Sequence, residues 1–221
     1  MGQTLTQHFT KVQQLFLNQF QKDQHLVKTF YLTGGTALSA CYLDHRNSED
    51  IDLFSEKPFD EIFVIAAMKN IVTALKVRSK LSKILGRLRY DLSFPDDAFL
   101  KIDFVHYDFS HIEPVHTLEN ISVDSMGDIA VNKLLSISQR TASKDFVDLY
   151  FLLKKYTLWD LQHGVEHKFK LEIEPLYLSS LFAKAGEFTD LPVMKKPLSL
   201  ETLKTFFLAE AKKLASKFIK P

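Results

Sequence analysis

The chain has 221 residues, 46% of them hydrophobic, with 28 Lys and Arg against 27 Asp and Glu and a single cysteine. That length suits one large domain or two small ones. The near-zero balance of charge excludes the strongly basic footprint of a dedicated nucleic-acid-binding domain. The lone Cys41 excludes an intrachain disulfide or a thiolate zinc cluster and reads as a small core residue. No apolar run approaches the roughly 20 residues that span a bilayer, and the first residues lack the apolar centre of a secretory signal. A cytoplasmic protein without a membrane partner is expected, and its 19 Phe residues against one Trp predict a core built on aromatic packing.

In chain order, residues 4–29 read as one helix, with Phe9, Val12, Leu15, Phe16 and Phe20 near helical spacing. Phe30 to Thr33 is a short strand that stops at Gly34-Gly35. Thr36 to Leu43 follows as a helix whose first turn Thr36 can cap. Ile51 to Phe54 is a second strand, and Pro58 opens an amphipathic helix to Leu75. Strands Arg87–Phe94 and Phe99–Tyr107 flank Pro95-Asp96-Asp97-Ala98, a turn in which Pro presets one dihedral and Asp bonds its own backbone.

After His116 the alternating pattern gives way to helical periodicity. Helices are expected from Ser125 to Arg140, with Asp128 as a capping partner, and from Ser143 to Tyr156. Further helices fit Trp159–Phe169, Pro175–Ala185 and Leu200–Ile219. The fold class is therefore α+β, a mixed-sheet domain over residues 1–116 followed by a helical domain over 117–221.

The chemistry concentrates on acidic residues. Alternation along a strand puts Asp50 and Asp52 on one side and Ile51 and Leu53 on the other. Two neighbouring carboxylates repel, so they suit either a solvated surface or a bound cation. Asp103, in "LKIDFVHY", is a third strand carboxylate. Gly34-Gly35 can be a plain tight turn, or a place where phosphate approaches backbone at a helix start. Arg46 can neutralise a phosphate or stand in solvent.

Together these are the parts of a nucleotidyl-transfer site. Mg²⁺ takes oxygen ligands from one or two carboxylates plus substrate phosphates. A pair of such ions clamps the attacking and leaving oxygens of an in-line displacement, and a nearby carboxylate can take the proton of the attacking hydroxyl. The stretches "GGTAL", "RNSEDIDLF" and "KDFVDLYFLL" resemble the AbiEii/AbiGii toxin family of the nucleotidyltransferase superfamily.

That resemblance implies a nucleotidyltransferase-fold domain, with Gly34, Gly35 and Thr36 at the nucleotide. Asp50 and Asp52 would be the metal pair and Asp103 the third carboxylate, a metal ligand or a base. Two Mg²⁺ ions and an NTP are the implied cofactor and substrate. Within "AVNKLLSISQRTASKDFVDLYFLL", it implies that Lys133 contacts nucleotide phosphates and that Asp145, ahead of Asp148, belongs to the active cleft. It further implies the toxin half of a toxin–antitoxin or abortive-infection system, with RNA such as tRNA as acceptor and a cognate antitoxin as partner. The interval from Gly35 to Asp50 is longer than the superfamily's common spacing.

Two other function classes fit the same residues, an antibiotic-type nucleotidyltransferase acting on a small molecule and a catalytically silent binding protein of this fold. His163, Glu166 and His167 match an H-x-x-E-H zinc pattern, but Gly164 weakens that helix and no third ligand lies nearby. Arg78, Lys80, Lys83, Arg87 and Arg89 form a basic run that suits either a solvated face or RNA phosphates.

Overall fold

The computed structural model describes residues 8–84 and 86–216. They divide into two compact units, one running to Tyr42 and resuming over Ser48–Ser125, the other comprising Leu43–Asn47 and the chain from Met126. The sequence placed the change of character at 116.

The first unit is built on a seven-stranded sheet of order β3-β4-β5-β2-β1-β7-β6. Its strands are β1 (Tyr31–Thr33), β2 (Ile51–Ser55), β3 (Arg78–Ile84), β4 (Arg87–Ser93), β5 (Phe99–His106), β6 (His116–Leu118) and β7 (Ile121–Val123). β2 runs parallel to β5, and β1 is antiparallel to β2 and parallel to β7. β3, β6 and β7 add to the four strands expected from sequence. β3 escaped notice because six of its seven residues are exposed, so it lacks the buried-face alternation that marks a strand. β6 and β7 are three residues each, too short to show a period.

One face of the sheet is apolar. Ile51, Leu53, Leu88, Leu92, Leu100, Ile102 and Phe104 are buried, and the intervening positions of β4 are half-exposed. Phe30 packs on Phe104 with centroids 5.0 Å apart in an edge-on arrangement, the geometry aromatic rings prefer.

The single helix expected at the start is two among the described residues, α1 (Lys11–Phe20) and α2 (Gln24–Thr29). Asp23 makes the break, since its carboxylate accepts the backbone N–H groups of His25 and Leu26 and starts a new helix. The part of that expectation on residues 4–7 lies outside the described residues. α4 (Glu61–Leu75) opens three residues later than the Pro58 expectation because Asp60 caps it, accepting from Ile62 N–H at 2.8 Å. The β4–β5 connection closes at Pro95-Asp96-Asp97, with Phe94 N–H donating to Ala98 C=O at 2.9 Å and Asp97 at φ +60°.

The second unit is helical, with α5 (Met126–Gln139), α6 (Ser143–Leu152), α7 (Leu158–Phe169), α8 (Pro175–Ala183) and α9 (Leu200–Ser216). The last residues of the helix expected to 219 lie outside the described residues. Phe146, Phe182 and Phe207 form its aromatic core, with centroid separations of 5.0 and 5.1 Å to Phe207. Residues 43–47 are pinned to it by an antiparallel bridge between Arg46 and Met194, and Asn47 N–H donates to Val193 C=O at 2.8 Å. Asp128, expected to support the α5 cap, receives Lys168 Nζ at 2.6 Å, both side chains buried. Gly164 of the histidine pattern serves packing: a Cβ there would stand 2.3 Å from Val131 Cγ2.

Candidate active site

In the first unit, the strand registers assemble the carboxylates. Asp52 of β2 stands directly beside Asp103 of β5, and Thr33 of β1 lies opposite Asp52 on the other flank. Side chains at paired positions share a face, so Asp52 and Asp103 project together from the half-exposed side of the sheet, with Asp50 two residues before Asp52. Asp103 is 3% exposed.

The glycine turn lies against this pair. Gly34 has φ +73°, a left-handed conformation that other residues adopt only with strain, and a Cβ on it would meet Asp52 Oδ2 at 2.1 Å. Glycine is therefore demanded twice, by the turn and by the carboxylate. Gly34 and Gly35 open the short helix α3 (Gly34–Ala37), which continues as a π-helical segment over Leu38–Leu43. Thr36 is the third residue of α3 and not its cap. Its hydroxyl donates to the Asp50 carbonyl and is bonded to Ser48 Oγ at 2.9 Å. Ser48 is fixed in turn by Gln13, whose Nε2 donates to its carbonyl at 2.8 Å. Thr36 and Asp50 thus converge despite the long interval between them, because residues 43–47 leave the first unit within it.

Cations balance the aspartates. Lys101 Nζ lies 2.5 Å from Asp50 Oδ2. Arg89 meets Asp103 with both arms of its guanidinium, Nε at 3.0 Å and Nη2 at 3.3 Å, while Arg87 Nη1 stands at 3.5 Å. The sequence contained a signal for Lys101, since it precedes Asp103 by two positions on a strand and must share its face. The pairing of Arg89 with Asp103 depends on the antiparallel β4–β5 register.

The donor set, carboxylate oxygens on one face of the sheet, is of the kind a hard divalent cation takes. Among the described residues, no three acidic, imidazole or thiol side chains converge on one point. Asp50 and Asp52 are the candidate holders, while Asp103 is engaged by Arg89.

The second unit has a cluster of its own around Asp148, which is fully buried. Arg46 grips this carboxylate with Nε at 2.6 Å and Nη2 at 2.8 Å, His45 Nε2 lies at 2.8 Å, and Lys133 Nζ at 2.6 Å. Lys133 also reaches Asp145 Oδ1 at 2.8 Å, and Arg140 Nε holds Asp145 Oδ2 at 2.7 Å. Burial alone would raise the pKa of Asp148, but the Lys133 charge and hydrogen bonds from Arg46 and His45 hold it far below the carboxylate range. Asp145 is lowered in the same way, against its burial, by Lys133 and Arg140. Burial would lower Lys133, yet Asp148 and Asp145 raise it, so its ammonium persists. Desolvation outweighs Asp148 at His45 and lowers its pKa, favouring the neutral ring. Asp148, not Asp145, is the hub of this cluster, and His45 is a member the sequence did not single out. Neither was legible, because Arg46 and His45 lie more than 100 residues from Asp148 in the chain.

Cys41 is buried, and desolvation pushes its thiol up to about 12, which keeps it an inert core group. A cavity of about 470 Å³, lined by Tyr31, Glu56 and His111 among others, opens at the end of β1 and β2 away from the aspartates. No helix among the described residues is long and apolar enough to cross a membrane.

A mixed sheet carrying a glycine turn, an Asp-x-Asp strand and a third aspartate on the neighbouring parallel strand defines a protein of the nucleotidyltransferase fold. Residues 16–218 match the family described as the nucleotidyl transferase AbiEii toxin of type IV toxin–antitoxin systems, and the chain belongs to that family. An uncharacterised protein of Aquifex aeolicus is 36% identical over 139 residues, which is 60% of this chain and 61% of that relative. Two solved structures share the fold. JHP933 from Helicobacter pylori is 18% identical with a TM-score of 0.60, covering 94% of this chain and 90% of its own. The nucleotidyltransferase toxin MenT4 from Mycobacterium tuberculosis is 10% identical with a TM-score of 0.53, covering 92% and 82%.

Proposed function

We propose that the protein transfers a nucleoside monophosphate from an NTP to an acceptor hydroxyl, as a toxin whose acceptor is RNA, with tRNA the first to test. The observation that carries this reading is Asp52 and Asp103 side by side on parallel strands, against a glycine turn that only glycine can form. In the reaction the acceptor oxygen bonds to the α-phosphorus, the bond to the β-phosphate breaks, and pyrophosphate leaves. The hydroxyl proton passes to a carboxylate, and Asp103 is our assignment for that base. Gly34, Gly35 and Thr36 receive the triphosphate. Asp50 and Asp52 would hold Mg²⁺, which when bound supplies charge neutralisation at the phosphate oxygens. Lys133, Arg46 and Asp145 are bound into the buried ion cluster around Asp148 in the second unit, and no step of the transfer is assigned to them.

Support for an RNA acceptor comes from the same face of the sheet. Cross-strand pairing places Arg87 and Arg89 of β4 beside β5, and Arg78 and Lys80 of β3 opposite Ser93 and Asp91 of β4. Cations therefore extend from Asp103 to the sheet edge, the arrangement a phosphate backbone requires. Membership of a toxin–antitoxin family supports a cognate antitoxin. Incubation with each labelled NTP, Mg²⁺ and total RNA tests the reading. Label on an RNA species is the expected result. Label confined to a small molecule would replace RNA as acceptor, and transfer from none of the four nucleotides would refute the assignment.

A further inference from the structure

We infer that Asp124 is a positioning residue of the glycine turn, acting through Thr33. The inference rests on the proposed function, in which that turn receives the nucleotide.

Asp124 follows β7 and is fully buried. Its backbone N–H donates to Leu32 C=O at 2.9 Å, and its Oδ2 accepts from Thr33 Oγ1 at 2.7 Å. Its carbonyl accepts from Tyr42 OH at 2.7 Å. Leu32 and Thr33 are the last residues of β1, and Tyr42 lies in the final turn of the π-helical segment. One residue therefore fastens the chain on both sides of Gly34-Gly35.

A neutral amide would satisfy Thr33 as well as a carboxylate does. The other carboxylate oxygen faces His111. Asp124 Oδ1 lies 3.5 Å from His111 Nε2, and His111 Nδ1 is 2.7 Å from Glu56 Oε1. The His111 backbone N–H reaches the same Glu56 oxygen at 3.0 Å, which fixes the ring between two carboxylates. Tyr31 closes the other side, its ring centroid 4.4 Å from the imidazole, and Lys28 and Lys57 line the adjacent cavity. The chain Glu56–His111–Asp124–Thr33 thus runs from the end of β2 to the residue before Gly34, and Thr33 is the register partner of Asp52. Loosening Thr33 lets the glycine turn move relative to Asp52, so nucleotide affinity suffers first.

The test is calorimetric binding of nonhydrolysable analogues of the four NTPs, with Mg²⁺, to the full chain well below its melting temperature. Removing an acceptor from a buried hydroxyl is expected to weaken binding about tenfold in Asp124→Ala. Asp124→Asn, which keeps an acceptor oxygen, should stay within about threefold of wild type by the same reasoning. Thr33→Val removes the donor from the other side and should match Asp124→Ala; it carries the test if the alanine variant does not fold. Ser179→Ala, which deletes a buried hydrogen bond to Ala211 C=O in the second unit, lowers the melting temperature and leaves affinity unchanged, separating positioning from general destabilisation. Wild-type affinity in Thr33→Val and Asp124→Ala, or no rescue by Asp124→Asn, overturns the inference while the reading of the site stands. A wild-type protein that binds none of the four analogues refutes that reading and this inference with it.

Discussion

Gly34→Ala is the perturbation for which the structure gives the most definite expectation. At φ +73° a residue with a Cβ costs about 1–2 kcal/mol more than glycine. The new methyl would also stand 2.1 Å from Asp52 Oδ2 and 2.9 Å from its Cγ, far inside contact distance. Relief requires the carboxylate to leave its rotamer, at about 0.5–1.5 kcal/mol, or β2 to shift. The expected loss is therefore about 1.5–3.5 kcal/mol, together with displacement of a proposed metal ligand. Gly86 is the internal control, since it has φ +70° and nothing within 4 Å of its would-be Cβ. Gly86→Ala carries only the dihedral cost. Urea unfolding of both variants should give Gly34→Ala the lower midpoint at unchanged slope, and nucleotidyl transfer should vanish in Gly34→Ala alone. Equal midpoints and equal activities for the two variants would refute the argument that Asp52 requires a glycine beneath it.

Other expectations follow from the charges. Asp50→Asn and Asp52→Asn should each abolish transfer while the melting temperature stays within about 3 °C, because both positions are only half-buried and a half-exposed pair such as Asp50–Lys101 contributes about 1 kcal/mol; retained transfer in both would discard the metal assignment. Charge reversal at Arg78 and Lys80 should weaken RNA binding and flatten its salt dependence by about 0.7 in log–log slope for each phosphate no longer neutralised, leaving NTP binding unchanged. Arg87 and Arg89 are poor choices for that experiment, since both guanidinium groups lie on Asp103 and reversal there strikes the carboxylate itself. Stability should fall on acidification in two stages. His45 is held below its ordinary 6.5, so the unfolded chain takes up its proton first and stability drops as pH falls past about 6.5. Asp145 and Asp148, held below 3.8, contribute stability that is present above that value and lost as pH falls further. Urea midpoints that rise between pH 7 and pH 5 would contradict the His45 stage.

The local features of the candidate site were legible in the chain itself. Gly34-Gly35 after a strand, Asp50 and Asp52 two apart, and Asp103 on an alternating strand are patterns of period and punctuation, and strand periodicity alone puts Asp50 with Asp52 on one face. The aromatic cores were likewise foreseeable from the abundance of Phe, because each apolar face must be covered. What tertiary structure decided was which residues become neighbours across long stretches of chain. Strand order set Asp52 beside Asp103 and Arg89 upon it, a matter of register that no local pattern encodes. β3 went unseen because an exposed edge strand has no buried face to impose alternation. Arg46, read as a loop cation, lies in a segment belonging to the helical unit and is spent on Asp148. Asp124 had no local signal at all: its place behind the glycine turn arises only where β7 pairs with β1. Sequence fixes the period of an element and the chemistry it can offer, while the pairing of elements distant in the chain decides which of those groups meet.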